Sequence, residues 1–579
     1  RVVNQSPVAR QVSLEIVIAG RAGNPSRRTA TAPRTIAANG TADFQHQIVV
    51  KDPELWNLER PSLYNANFRV ISEGKALDNE SVSFGIRDAR FVAATGFWLN
   101  GKNFKIKGAC LHHDGSAFGA AVPLSVWERR LNELRKLGVN AIRTAHNPPA
   151  PEFLDLCDRM GFLVMDELFD QWTLAKNPYD YHLAFNEWSK IDVRDTVRRD
   201  RNHPSVIIYS AGNEIRDTPN ADLAKRVLRE LVDAFHEADP TRPVTQALFR
   251  PNVSHDYDNG LADLLDVVGQ NYREKEILAA HKQNPARKIL GTENTHDINQ
   301  WVAMRDNAEY SGQFIWVGVD YLGESRAWPT YAYDKGLLDR TATTRPGGFQ
   351  RQSWWSVTPM VYLSRRVALD VRPLTDPGYK AIEAARTQVL FPDWNPHDLS
   401  AHNENVEVYS NCDEVELFLN GKTLGKKPVP NDASPLNWTV AFETGSIKGV
   451  GYQAGKPITE FTLRTAGPPA KILLSVDRTR VANNWDAVAF VTALVVDKNG
   501  VIVPNANDLV DFAISGSGVI AAVDSSDNND HDSFQTTRRN AFQGRVFALV
   551  KANRDSGKIV IKATSGSLKS NGVTIRAMR

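Results

Sequence analysis

From Phe104 to about residue 360, compact apolar runs alternate with amphipathic segments, and the alternation repeats eight times. "FKIKGACLHH" precedes "PLSVWERRLNELRKLG", where Trp127, Leu131, Leu134 and Leu137 recur at helical spacing. "VNAIRTAH" precedes "PEFLDLCDRMG", "FLVMDEL" precedes a segment around "EWSKIDVRDTVRRD", and "SVIIYSAGNE" precedes "ADLAKRVLRELVDAFHEA". The runs "PVTQAL", "DVVGQNY", "KILGTEN" and "GQFIWVGVD" follow, with helical segments "LADLLD", "KEILAAHKQ", "INQWVAMRD" and "FQRQSWWSVTPMVY" behind them. Short buried strands regularly interleaved with helices require a parallel sheet with helices packed outside it. Eight such units in about 270 residues predict a (β/α)8 TIM barrel. No G-x-G-x-x-G follows a strand, which argues against a dinucleotide fold.

The flanks have another period. Residues 1–88 alternate apolar and polar positions in runs such as "QVSLEIVIAG" and "YNANFRVIS", punctuated by Asn24-Pro25 and Asn39-Gly40. After residue 385 the helical period stops, and "ENVEVYSNCDEVELFLNGKTLGKK" reads as hairpins around Asn420-Gly421. A fresh strand begins in "GPPAKILLSVDRTRV". The expected organisation is a multidomain chain: an all-β immunoglobulin-like sandwich at 1–88, the TIM barrel at 89–385, and two further immunoglobulin-like sandwiches at 386–466 and 467–579. No aromatic strip marks the two C-terminal sandwiches, so they read as spacer or packing modules. The first residues, "RVVNQSPVARQVSLEIVIAG", open in a strand already under way, so an N-terminal part is expected to be missing.

Charge excludes some partners. Lys+Arg number 69 against 67 Asp+Glu, so neither nucleic acid nor an anionic membrane surface is favoured. The three cysteines, Cys110, Cys157 and Cys412, are far apart and lack metal-ligand spacing. No apolar run reaches membrane-spanning length.

In such a barrel the site is built at the C-terminal ends of the strands. Those ends carry His112, His113 and Asp114; Arg143, His146 and Asn147; Asp166 and Glu167; Asn213 and Glu214; Asn271 and Tyr272; Glu293 and Asn294; and Trp316 and Asp320. Glu214 and Glu293 close strands four and seven. Two carboxyls facing each other across a mouth suit glycoside hydrolysis, in which one protonates the leaving oxygen while the other attacks the anomeric carbon. The charge of one raises the pKa of the other and keeps it protonated near neutrality. An amide such as Asn213 beside the acid can hydrogen-bond a sugar 2-hydroxyl. Other readings stand beside this one. A strand-end Glu also serves as an ion-pair partner, and Asp166 and Glu167 can equally pair with Arg143. His112 and His113 with Asp166 could ligate a metal, but no H-E-x-x-H or similar spacing supports that, so no metal ligand is assigned. Trp316 could be barrel packing.

"LNGKNFKIKGACLHHD", "LGVNAIRTAHNPPAPEFLDLCDRMGFLVMDE", "DRNHPSVIIYSAGNE", "KILGTEN" and "GQFIWVGVDYLGE" together resemble glycoside hydrolase family 2, the family of β-galactosidases, β-glucuronidases and β-mannosidases. The resemblance implies that Glu214 is the acid/base and Glu293 the nucleophile of a retaining exo-β-glycosidase. It implies that Asn213 binds the 2-hydroxyl, His146 contacts the sugar, Tyr272 hydrogen-bonds the nucleophile and Trp316 floors the pocket. Asn147, His113, Asp166 and Lys335 are further candidates for binding substrate. Retention requires the two carboxyls to lie about 5–5.5 Å apart. The resemblance also implies a jelly-roll domain before the first sandwich, a carbohydrate substrate and no required cofactor. A bound structural divalent cation and assembly into a homo-oligomer stay open. A bacterial periplasmic or extracellular location is expected. "DYLGE" after Trp316 resembles the β-galactosidase branch. The glucuronidase branch carries an Asn-x-Lys motif where this chain has Tyr333 and Lys335 in "YAYDKGLLDR". A terminal β-galactoside is therefore the expected substrate. The alternatives are a β-glucuronidase, another exo-β-glycosidase of the family, and a non-catalytic sugar-binding protein.

Overall fold

A computed structural model describes residues 1–20, 25–325, 328–367 and 389–579. Eight parallel strands close into a barrel in chain order: β1 (Ile106–Leu111), β2 (Ala141–Thr144), β3 (Leu163–Glu167), β4 (Val206–Asn213), β5 (Val244–Leu248), β6 (Val268–Asn271), β7 (Ile289–Asn294) and β8 (Tyr310–Ile315). The intervening helices are α1 (Leu124–Lys136), α2 (Pro151–Met160), α3 (His182–Asp200), α4 (Ala221–Ala238), α5 (Pro251–Ser254), α6 (Glu274–Gln283) and α7 (Ile298–Asp306), with α8 (Pro346–Trp355) after β8. The expected TIM barrel is present. The fifth unit is the weak one: behind β5 stand only the four-residue α5 and a 3-10 turn at Ala262–Leu264.

Local sequence explains where these helices start and stop. Pro151 opens α2, where its missing N–H costs nothing, and Gly161 ends it at φ 71°. A Cβ on Gly161 would meet the Leu58 carbonyl oxygen at 2.5 Å, so the same glycine lets the N-terminal β region approach. Asn220 caps α4 by accepting from the Leu223 N–H at 3.3 Å. The buried stripe Ala224, Val227, Leu228, Leu231 and Phe235 turns α4 onto the barrel.

The chain divides into two compact units. The first comprises residues 1–108, 140–294 and 303–314. Its N-terminal β region is a five-stranded sheet in which Arg10–Ala19 pairs with Tyr64–Ser72 and that strand with Lys75–Phe84. Arg87 joins this region to the barrel, donating to the carbonyls of Pro204 and Val206 at 2.5 and 2.6 Å. The second unit comprises residues 109–139, 295–302 and 315–579. It contains a pair of four-stranded sheets between Val361 and Arg464, with Trp394 and Trp438 in their core. It also contains a four- and a six-stranded sheet between Lys471 and Met578. Val361–Val367 pairs with Asn403–Ser410, so the first of these sandwiches begins upstream of the boundary expected at residue 385/386, which lies outside the described residues. Val361 and Tyr362, grouped in the sequence with the last helix, open a strand that runs Val361–Val367.

Candidate active site

In the first unit a buried polar network joins the ends of β2, β3, β4, β6 and β7. Arg143 on β2 is its centre and is fully buried. Its Nε and Nη2 donate to the Glu167 carboxylate at 2.9–3.0 Å, a fork geometry that only a guanidinium supplies. Nη1 donates to Glu293 Oε2 at 2.9 Å, and Nη2 donates to Asn213 Oδ1 at 2.8 Å. Burial alone would raise the Glu167 carboxyl. Arg143 first, then His146 and Ser210, outweigh it and hold Glu167 near 2, so this carboxylate stays charged. His146 Nδ1–H donates to Glu167 at 2.7 Å, which leaves Nε2 facing the Asn213 amide at 3.5 Å.

Asn213 is fixed from both ends. Its Oδ1 accepts from Arg143 and from Asn271 Nδ2 at 3.0 Å, and its Nδ2 donates to Asp170 at 3.0 Å. The strand slips register between Ser210 and Asn213, a bulge of the kind that re-aims side chains beside active sites. A Cβ on Gly212 would meet Trp172 Nε1 at 2.9 Å, which explains the glycine of "SAGNE". Glu214 follows at φ 44°, a left-handed conformation unusual outside glycine and the kind of local strain found at functional sites. Asn271 Nδ2 donates to Glu214 Oε1 at 3.1 Å, and Thr292 Oγ1 donates to Asn271 Oδ1 at 2.7 Å.

The two glutamates meet different surroundings. Glu293 is gripped by Arg143 on one oxygen and receives the Tyr272 hydroxyl on the other. Glu214 accepts from an amide and has no cation in contact among the described residues. Burial, then the charge of Glu293, push its pKa up; Asn271, Lys176 and Arg143 oppose them without prevailing. The arrangement can therefore hold Glu214 protonated, as an acid, beside Glu293, whose two oxygens are anchored.

Among the residues singled out in the sequence, the first unit thus brings together His146, Asn213, Glu214, Tyr272 and Glu293. Asn147 is exposed beside them on the loop after β2, its amide donating to the Pro148 carbonyl at 3.1 Å. Asp166 is a correction. Side chains alternate along β3, and Asp166 pairs in register with Tyr209 while Glu167 pairs with Ser210. Ser210 donates to Glu167 at 2.7 Å inside the barrel, whereas Tyr209 bonds Asp239 behind it. Asp166 therefore points outward, fully buried, toward Asp200, with no hydrogen bond to either oxygen among the described residues, and does not line the site. Asp170 and Lys176 were not anticipated. Lys176 Nζ donates to Asp170 at 2.6 Å and to the Asn213 carbonyl at 2.9 Å. Both lie in the loop after β3, where no strand-end signal marks them.

In the second unit Trp316 stands at the end of β8. Its ring lies 5.2 Å from His112 and 6.2 Å from Tyr333, and Tyr333 stacks on Tyr321 at 5.2 Å. His113 instead lies against Trp127 of α1 at 5.6 Å, so His112 and not His113 joins the Trp316 cluster. Asp320 is buried against Arg345, and burial raises it to about 6 against that partner. Lys335 is half exposed, 3.6 Å from Asp334, and its carbonyl lies 3.0 Å from His296 Nε2.

Three comparisons bear on this site. The family model described as "Glycosyl hydrolases family 2, TIM barrel domain" matches residues 91–327, one described as "Glycosyl hydrolases family 2" matches 1–87, and "Glycoside hydrolase family 2 C-terminal domain 5" matches 472–574. A domain of unknown function matches 403–459. The chain is 32% identical to beta-galactosidase BoGH2A of Bacteroides ovatus, over 92% of this chain and 68% of that protein. It is also 32% identical to a putative beta-glucuronidase of Formosa agariphila, over 81% of this chain and 48% of that protein. A crystal structure of a glycosyl hydrolase family 2 member from Bacteroides cellulosilyticus superposes with a TM-score of 0.92 at 31% identity, over all of this chain and 77% of that one.

Proposed function

The chain belongs to glycosyl hydrolase family 2 and is a glycoside hydrolase, and from that premise we propose a retaining exo-β-glycosidase that releases terminal β-D-galactosyl residues. The observation that carries the mechanism is the contrast between Glu293, anchored by Arg143 and Tyr272, and Glu214, half-buried with its pKa pushed up. Glu293 attacks the anomeric carbon while the glycosidic C–O bond breaks, and Glu214 gives its proton to the leaving oxygen. The guanidinium stays on the second oxygen of Glu293 and orients the first. A covalent glycosyl–enzyme forms. Water then attacks the same carbon, Glu214 takes the proton, and the Glu293 carboxylate departs.

Two features support galactose. The relative of Bacteroides ovatus is named a beta-galactosidase, and Tyr333 is engaged in the Trp316–Tyr321 aromatic cluster where a glucuronidase would carry Asn. The second reading, a β-glucuronidase, draws on the relative of Formosa agariphila and on Lys335, whose ammonium is half exposed. Initial rates on aryl β-galactoside, glucuronide, mannoside, glucoside and xyloside decide between them. Fast turnover of the galactoside alone supports the proposal, and preference for the glucuronide reverses it. The anomer first released, read by proton NMR, tests retention: an α-product would rule out double displacement.

A further inference from the structure

A cleft of about 290 Å³ opens beside the network in the first unit, between the loops after β2 and β3 and the helix α3. Two of its lining residues, His146 and Asp170, are the ones that face the Asn213 amide, next to Glu214. Pro148, Phe169 and the ring of Tyr181 contribute apolar wall, and Phe169 stacks on Tyr181 at 5.4 Å.

Its polar groups are left over from folding. Gln171 is 6% exposed, yet among the described residues its amide has no hydrogen-bond partner in the protein. Its amide atoms are not sealed in the protein, so they open to the cleft, where a ligand hydroxyl can bond them. Thr196 on α3 also has a hydroxyl there without a partner among the described residues. Asp170 uses one oxygen for both Lys176 and Asn213, and among the described residues its Oδ2 accepts nothing. Asp192 receives the Tyr181 hydroxyl on Oδ2, and its Oδ1 accepts nothing among the described residues. Donors and acceptors over an apolar and aromatic wall, in a volume that fits one six-membered sugar ring, match a pyranose with its hydroxyls. The lining includes two carboxylates and neither Lys nor Arg, so an anionic sugar is disfavoured.

We propose that this cleft is a leaving-group subsite that holds one neutral pyranose unit, attached through the oxygen that Glu214 protonates. The inference rests on the glycosidase reading above and narrows its substrate class. A neutral sugar on the leaving side places its hydroxyls on Gln171, Thr196 and Asp170, while a simple aryl leaving group makes none of those bonds.

The test compares an aryl β-galactoside with a β-galactosyl-hexose disaccharide and with its counterpart carrying a hexuronate in place of the hexose. Gln171→Leu and Thr196→Val each remove one hydrogen bond at nearly constant volume. Each is expected to lower kcat/KM for the neutral disaccharide about tenfold and to leave the aryl galactoside within about twofold. The wild-type enzyme is expected to cleave the hexuronate disaccharide at least about tenfold less efficiently than the neutral one. Equal losses on both substrates, or no loss on either, would overturn the subsite. Thermal melting identifies a variant that fails to fold, and the other variant then carries the test. If the wild-type enzyme cleaves no aryl glycoside of any sugar, the function fails first. Calorimetric binding of the neutral disaccharide to wild type and to Gln171→Leu then still decides the cleft, and equal affinity would refute it.

Discussion

Arg143 donates its Nη1 to the Oε2 of Glu293 at 2.9 Å, with the guanidinium wholly buried. The same group holds Glu167 in a fork and the Asn213 amide, so one cation positions a carboxylate from β7, another from β3 and an amide from β4. Arg143→Met would leave two buried carboxylates without their cation, a loss of about 3–5 kcal/mol in stability. Arg143→Lys keeps the charge but cannot reach three partners in one plane. The lysine variant is expected to fold and to lose at least about a hundredfold in kcat, read by aryl glycoside turnover beside a melting curve.

Glu214 and Glu293 should separate by leaving group. Glu293→Gln removes the attacking oxygen and should abolish turnover of every glycoside. Glu214→Gln removes only the proton donor, worth about 10²–10⁴-fold where the leaving oxygen needs protonation. An activated aryl leaving group needs less help, so the glycosylation rate of Glu214→Gln should fall steeply with leaving-group pKa while that of the wild type stays flat. A flat dependence in the variant would remove Glu214 from the acid role.

Glu214 must be protonated to donate, so kcat/KM falls as pH rises through its pKa. Burial and the charge of Glu293 already place that pKa above the ordinary value, and the ammonium of Lys176 pulls it back. Lys176→Met removes the opposing cation and leaves Asp170 without its partner. Both changes favour the protonated form, so the alkaline limb of the profile should move to higher pH. A limb that moves down, or does not move, would show that Lys176 does not act on Glu214.

The barrel was legible because eight apolar runs at regular spacing have few other ways to be buried, and strand ends then mark a mouth. Glu214 and Glu293 stand out for that reason. What the sequence conceals is which of two neighbouring residues faces inward. In "VMDEL" both acids are equivalent until register pairs Asp166 with Tyr209 and Glu167 with Ser210. "CLHHD" hides the same choice, resolved when His112 packs on Trp316 and His113 on Trp127. Asp170 and Lys176 lie in a loop, where no periodicity exists to read. Val361–Val367 is buried at nearly every position, so it carries no alternation that would mark it as a strand.

The outward Asp166 has its own consequence. It is buried beside Asp200 with no donor to either oxygen, and burial first, then the Asp200 charge, push its pKa well above the ordinary value. A carboxyl whose folded pKa is raised contributes stability that is complete below its unfolded pKa and is lost as pH rises toward the folded one. Asp166→Asn keeps a donor toward Asp200 without that loss. The melting temperature of the variant should therefore gain on the wild type as pH rises from about 4 upward. Aryl glycoside kinetics should be unchanged, because the side chain faces α3 and not the site. A fall in kcat with stability unaltered would return Asp166 to the active site.

Within the second unit, the last sandwich reaches the loops that follow β1 and β8. Asp524 accepts from Arg340 at 2.9 Å and from the Ser116 hydroxyl at 2.8 Å, and Arg340 is buried. The Tyr331 N–H donates to the Asn528 carbonyl at 3.1 Å, and His531 Nε2 lies 2.7 Å from the Pro329 carbonyl. These bonds hold the segment that also bears Tyr333 and Lys335, so the sandwich supports that segment as well as packing against its neighbours. Asp524→Ala strands a buried guanidinium, at a cost of about 3–5 kcal/mol. Solvent exchange at the amides of residues 328–341 should accelerate in the variant, read by hydrogen–deuterium mass spectrometry. If KM rises at a temperature where the variant is still folded, the loop serves substrate binding. An unchanged KM with faster exchange would make Asp524 a stability contact alone.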